Sequence, residues 1–275
     1  QQSIKLYNLT TGNTVANNNL SINSGDVDIF STNNTNITGN AFVGSSIILL
    51  DATYSFIDSN TVNNGAITDN GGSEASTYVG NSVGGSGGTS IIDINSHRAN
   101  VTDNFVTNGG ANGIFVNGSN CVISSNDLMS HIYLFGGIDS NITNNNLSMT
   151  SGYAIRLKGG SHNNNISGHN ITGTAYIAIE AGVNNDIENN NFTGTAINLF
   201  INPGNNRVHN NIFTNNSGIN LSQGGSVNIT NNNFTLGSAA PAIILDGSSN
   251  NIIEDNFFYN GRIVLLTKSG LSSEN

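Results

Sequence analysis

Tryptophan is absent from this 275-residue chain, cysteine occurs once, proline twice, and Lys and Arg together number seven. Each scarcity excludes something. The lone Cys121 cannot form an internal disulfide, so no cysteine framework holds the fold, although one cysteine says little about compartment. Seven unclustered basic residues in a chain of net charge −10 offer no footprint for a phosphate backbone, and nucleic acid is not an expected partner. Runs of large aliphatic residues such as "IILL" at 47–50 stop far short of the ~20 residues that cross a bilayer as a helix, so membrane insertion is not expected. Disordered chains are rich in proline and charge. Here charge is 9% and the hydrophobic fraction 36%, which points to a folded, soluble protein, polar without being ionic. The chain begins at Gln1 with neither an initiator Met nor a signal sequence, as a processed product or an excised segment would.

What fills the chain instead is asparagine, 54 residues, beside 33 Gly, 32 Ser and 23 Thr. Two heptapeptides, "NITNNNL" at 141–147 and "NITNNNF" at 228–234, differ only in their last residue. Asparagine is disfavoured in helices and strands alike, so such runs normally mark turns. These belong to a repeat. The template apolar-x-x-Asn-x-apolar recurs with its polar residue at Asn18, Asn40, Asn60, Asn81, Asn104, Asn126, Asn145, His169, Asn190, Asn211, Asn232 and Asn256, spaced 19 to 24 residues apart and about 21.6 on average. About ten residues before most copies lies an alternating apolar pair, such as Val27/Ile29, Ile155/Leu157 or Ile197/Leu199, and a period of two means strand. The glycine-rich stretch 70–90 breaks the pair rule, so an irregular, loop-bearing coil is expected at about 63–90.

A unit of two or three short strands cannot bury its apolar face alone, but stacked units can. Leucine-rich repeats have a similar period yet need leucines at fixed spacings and a convex segment that this chain lacks. The expected architecture is one all-β domain over 1–275: a single-stranded parallel β-helix of about 12 coils of about 21–22 residues, regular from about 4 to 265. Equivalent residues then stack roughly 4.8 Å apart. The twelve template residues form a structural ladder at a bend, their side-chain amides bonding along the stack.

The unit "N-x-I-x-x-N-x-F … G-I-x-L" resembles the parallel β-helix repeat of the pectate lyase-like superfamily, and within it the carbohydrate-associated repeat domain. The resemblance covers nearly the whole chain and implies a right-handed coil, a property that the period alone does not set. It implies little about activity, because this fold hosts lyases, hydrolases, epimerases, tailspikes and adhesins. Calcium-dependent lyases of the superfamily gather acids from adjacent coils. Here the nearest approach, Asp26, Asp28 and Asp51, does not align in columns. His97, His131, His162, His169 and His209 fall in different columns without metal-ligand spacing, so the copper association of one branch of the family is not carried over. Neither a metal nor another cofactor is expected.

Outward positions within and just after the alternating pairs share one face. Its middle holds Asp93, Phe115, Tyr133, Phe135, Arg156, Lys158 and Glu180, with His131 just before Tyr133. Aromatic rings stack on sugar faces while charged groups bond hydroxyls or carboxylates, so these seven are the candidate carbohydrate-binding residues. A lyase or epimerase needs a base, an acid and a cation near the substrate carboxylate, which makes Tyr133, Arg156, Lys158 and Glu180 the catalytic candidates. The competing reading is a surface ion pair between Lys158 and Glu180 on adjacent coils. Asp186/Arg207 and Glu188/His209 stack as pairs that suggest structure.

The leading expectation is a noncatalytic scaffold, extracellular or on a cell or virion surface, with polysaccharide or a cell-surface glycan as partner. A uronate lyase or C5-epimerase is the alternative. A tailspike or fibre segment, assembled as a homotrimer or by stacking through the helix ends, is the third.

Overall fold

The structure, a computed structural model, describes residues 4–8, 11–20, 25–85, 90–107, 112–174, 176–194, 198–201, 204–215, 217–222, 225–237 and 241–266. It is an all-β parallel solenoid with no helix among the described residues. Contacts divide the chain into two compact units, Gln1–Leu134 and Phe135–Asn275. In each, every coil gives one strand to each of three parallel sheets, A, B and C. One coil serves as the pattern: Val27–Phe30 in sheet A, Asn36–Thr38 in sheet B, Ala41–Val43 in sheet C, then Ile47–Leu50 back in sheet A beside its predecessor. Side chains alternate inward and outward, so Val27 and Ile29 are fully buried while Asp28 and Phe30 face out.

Asparagine runs make the corner between sheets B and C. The residue ahead of the ladder position takes left-handed backbone, at φ between 53 and 56° for Asn17, Ser59, Asp103, Ser125, Asn144, Asn189, Asn210, Asn231 and Asp255. Asn and Asp tolerate that region because a short polar side chain can bond locally. In "NITNNNF", then, Asn231 bends the chain, Asn232 is buried, and Asn233 opens the next strand facing solvent. The buried amide satisfies several groups at once. The Oδ1 of Asn81 accepts from the backbone N–H and the Nδ2 of Asn60, each at 3.0 Å, while Asn60 Nδ2 also donates to Ile37 O at 2.8 Å. The same bonds run from Asn18 through Asn126 in the first unit and from Asn190 to Asn256 in the second.

His169 replaces an amide in this ladder. Its Nδ1 accepts from Asn145 N–H at 3.1 Å and its Nε2–H donates to Ile142 O at 2.9 Å, which fixes the neutral Nε2–H tautomer. Burial holds its pKa down, at about 4.

Two expectations need correction. The coil at 63–90 has a strand in every sheet: Ile67–Asp69, Thr77–Val79 and Ser82–Gly84. Ile67 and Asp69 stand in register with Ile47 and Leu49 on one side and with Ile92 and Ile94 on the other. The alternating pair therefore exists, with a fully buried aspartate in its second position, hydrogen-bonded by Tyr78 Oη at 2.7 Å. An apolar-only pattern cannot find a strand whose core residue is a satisfied carboxylate. Of the stretch 70–90, where a loop is expected, residues 86–89 lie outside the described residues. The pair Ile197/Leu199 is also displaced. Ile177 and Ile179 register with Leu199 and Ile201, and Ile197 lies outside the described residues. Three alternating apolar residues in a row permit two frames, and the stacking partner chooses between them.

Candidate functional site

In the first unit, Asp93, Phe115 and Tyr133 occupy equivalent outward positions on three successive strands of sheet A. The Phe115 and Tyr133 rings meet edge to face, centroids 5.3 Å apart. Asp93 Oδ1 accepts from Asn95 Nδ2 at 2.9 Å, and Asn95 Nδ2 also donates to the Asp69 carbonyl at 3.1 Å. Burial raises the Asp93 pKa, and the bond from Asn95 only partly offsets it. Beside them, His131 Nε2 and Asn112 Oδ1 are 2.7 Å apart.

In the second unit, Arg156, Lys158 and Glu180 form a single cluster. Arg156 binds Glu180 through both Nε and Nη2, at 2.6 and 2.9 Å, while Lys158 Nζ stands 3.5 Å from the same carboxylate. The expected Lys158–Glu180 pair is thus the weaker half of a three-residue arrangement in which Arg156 is the principal partner. Arginine wins because its planar fork matches a carboxylate. Its hydrogen bonds, opposed by partial burial, hold the Glu180 pKa below the ordinary carboxylate value, with Lys158 adding to the effect. The guanidinium also lies 4.4 Å from the centroid of the Tyr153 ring, and Tyr153 packs at 4.6 Å against Tyr176. A hydrogen bond with Tyr176, followed by burial, pushes the Tyr153 pKa up to about 12. Phe135, also exposed, lies against Gly159, where a Cβ would come within 3.1 Å of its ring.

Tyr153 and Tyr176 escape the sequence reading because it samples only positions within and after the alternating pair. The register slips between Tyr153 and Ile155, so the two tyrosines face each other although one precedes its pair by two residues and the other by one. Two tyrosines 23 residues apart, close to the coil period, were the available signal.

A further ionic group lies on adjacent strands of sheet B. Arg207 Nη1 lies 3.6 Å from Asp186, and His209 Nε2 lies 2.7 Å from Asp186 and 3.7 Å from Glu188. Among the described residues, no three His, Cys, Asp or Glu side chains are grouped to hold a metal.

Residues 154–275 match the family model for the right handed beta helix region. No curated protein sequence matches the chain. Among solved structures, the chain is similar to the DFA-IIIase of Arthrobacter chlorophenolicus A6 in complex with GF2, at 16% identity and a TM-score of 0.55, covering 82% of this chain and 68% of that one. It is similar also to an alginate lyase in complex with G6, at 12% identity, TM-score 0.53, and 91% and 81% coverage. A PL6 alginate lyase in complex with a trisaccharide matches at 14% identity, TM-score 0.51, and 94% and 81% coverage. At such identities the likeness is one of fold. Together with the family model, it shows a right-handed parallel β-helix.

Proposed function

We propose that the chain is a noncatalytic β-helix scaffold, extracellular or on a cell or virion surface, that binds polysaccharide on the outward face of sheet A. The observation that carries this reading is the cluster around Arg156. Its guanidinium lies over the Tyr153 ring and is bonded bidentately to Glu180, so a polar group beside tyrosine rings is ordered before any ligand arrives. Pre-ordering lowers the entropy cost of binding. The rings of Tyr153, Tyr176 and Phe135 offer apolar surface for the C–H side of a sugar, and Lys158 offers a cationic donor for its hydroxyl or carboxylate oxygens. Asp93, Phe115 and Tyr133 give the first unit a second surface of the same chemistry. The ligands named with the similar solved structures, G6, a trisaccharide and GF2, support a glycan as the partner.

Titration with neutral and uronate oligosaccharides, followed by NMR or calorimetry, tests the reading. Tyr153→Ala is expected to weaken binding about tenfold, equivalent to ~1.4 kcal/mol. A glycan array with no binder at millimolar concentrations would remove the carbohydrate assignment. Asp93 favours a second reading, a lyase or C5-epimerase, because it puts a carboxyl on the same outward column as Tyr133, two strands away, where the two could share proton transfer across a bound chain. Turnover of alginate or pectate, abolished by Tyr133→Phe or Arg156→Ala, would replace the scaffold with the enzyme.

A further inference from the structure

We infer that a cleft on the outward side of sheet B, in the second unit, binds the acetamido group of an N-acetylated amino sugar. The inference extends the glycan reading to a second face and rests on it for the choice of a sugar as carrier of the acetamide. Arg207, Asn228 and Ile252 open three successive strands of sheet B and stand in register, each facing outward. A short asparagine between two longer side chains leaves a notch. Beside the notch the corner chemistry also changes. The amides of Asn164, Asn185 and Asn206 stack from coil to coil, but Val227 takes the next place, and its N–H turns to Asn251 Oδ1 at 3.1 Å. The result is a cleft of about 310 Å³ bounded by Arg207, Ser226, Asn228 and Ile252, with the buried Asn206 and Val227 as its floor. That volume is at the small end for ligand sites, suited to one sugar unit.

The lining sets the chemistry of the occupant. Ile252 is 53% exposed and gives the cleft an apolar wall, to which the methylene stem of Arg207 adds. The Asn228 side chain makes no hydrogen bond among the described residues, and its Oδ1 is closed off from solvent, so Nδ2 is the end that the cleft exposes. The Arg207 guanidinium brings further N–H donors. Donors beside an aliphatic wall match a carbonyl oxygen that carries a methyl group. An anion matches poorly, because the adjacent strand carries two carboxylates, Asp186 and Glu188, with Asp186 3.6 Å from Arg207 Nη1, in a chain of net charge −10. A plain sugar ring matches poorly too, since no aromatic ring among the described residues lines the cleft to stack on its face. The acetamido group is neutral, and its carbonyl gives the Asn228 amide the partner that the protein does not supply.

Selective 13C labelling of the isoleucine δ1 methyls of the 275-residue chain tests this, with the Ile252 signal identified from an Ile252→Val spectrum. N-acetylglucosamine and N-acetylgalactosamine should shift that signal saturably, and saturation transferred from the protein should be strongest at the acetyl methyl of the sugar. Glucose, glucosamine and glucuronate should leave the signal where it is. Arg207→Ala and Ile252→Ala, both at exposed positions, should each weaken acetamido-sugar binding about tenfold in saturation-transfer titrations. The proposal is overturned by the absence of a saturable shift with either acetamido sugar, by an equal shift with glucose, by a larger one with glucuronate, or by binding that neither variant weakens. The sheet A reading fails separately. An acetamido sugar seated at Ile252, with no oligosaccharide binding that Tyr153→Ala weakens, would remove the sheet A site and leave the cleft. Oligosaccharide binding that Tyr153→Ala weakens, with the Ile252 signal unmoved by acetamido sugars, would do the reverse.

Discussion

The two units build the same corner between sheets A and B from different chemistry. In the second unit the corner is a second asparagine ladder. Ser140 N–H donates to Asn164 Oδ1 at 3.0 Å, Asn164 Nδ2 to Asn185 Oδ1 at 3.0 Å and Asn185 Nδ2 to Asn206 Oδ1 at 3.1 Å, each amide also donating to a carbonyl one coil back. In the first unit the equivalent positions are Thr35, Ser55, Ser76, Ala99 and Cys121. Ser55 N–H reaches Ser76 Oγ at 3.2 Å, but the Ser55 hydroxyl, like those of Ser45 and Ser96, has no partner among the described residues. An amide brings two donors and an acceptor to a corner, whereas a hydroxyl brings one donor and a methyl none. The interiors differ in the same sense. The second unit stacks Phe192, Phe213, Phe234 and Phe258 with centroids 4.7 to 5.1 Å apart and planes within 7° of parallel, while the first places a Tyr78–Asp69 bond inside its core. The corner asparagines 164, 185 and 206 are 21 residues apart, whereas the first unit's corner spacings run from 20 to 23.

The largest break in this comparison is expected from Tyr78→Phe. Asp69 is fully buried, and apart from the Tyr78 hydroxyl its carboxyl group has, among the described residues, only Gly71 N–H at a long 3.4 Å. Leaving a buried carboxyl group without its hydrogen-bond donor costs about 3 kcal/mol. Urea denaturation should show the loss directly. The double change Tyr78→Phe with Asp69→Leu should recover most of it, since Leu49 and Ile94 already occupy the same column. If the single variant were as stable as wild type, the pair would not hold the first unit's core together.

His169 gives the second unit a pH dependence that an all-asparagine ladder would lack. The folded pKa is about 4 against an ordinary 6.5. A depressed pKa means the unfolded chain takes up the proton first, so the contribution is fully present above about pH 6.5 and is lost as pH falls toward about 4. The difference corresponds to roughly 3 kcal/mol. His169→Asn should flatten the stability profile between those limits relative to wild type, measured by urea midpoints at pH 7 and 4.5. An unchanged slope would mean that His169 is not the group responsible.

The fold was legible because one ladder repeats a single residue at a constant phase. The second ladder was hidden in plain composition. With asparagine so abundant, Asn164, Asn185 and Asn206 sit inside runs such as "NNN" at 163–165, where one position does not stand out, and the first unit's corner repeats an identity only once, at Ser55 and Ser76. Of the candidate site, the residues on the alternating strands were readable, including Asp93, Phe115, Tyr133, Arg156, Lys158 and Glu180. The geometry that ties Arg156 to Tyr153 depends on a register slip and on side-chain direction, which a column read from spacing does not contain.

The smallest expected difference is also the most direct test of why the corners differ. Asn185→Ala takes the acceptor from the buried N–H of Asn164, removes a donor to the carbonyl of Ser161 and removes the donor to Asn206. Each buried group left unpaired costs about 1 to 3 kcal/mol where water cannot enter, so a loss of about 2 to 3 kcal/mol is expected. Ser76→Ala in the first unit removes one acceptor for Ser55 N–H and one donor to Ala52 O, both at 3.2 Å, and is expected to cost about 1 kcal/mol. Solenoid coils are stabilised chiefly by their neighbours, so local opening is a better measure than a single global midpoint. Hydrogen exchange at the Asn164 and Ser55 amides reads each corner separately. Equal acceleration in the two variants would mean that backbone pairing along the sheets, not corner chemistry, sets the stability of the coils, and the contrast between the two units would be one of composition alone.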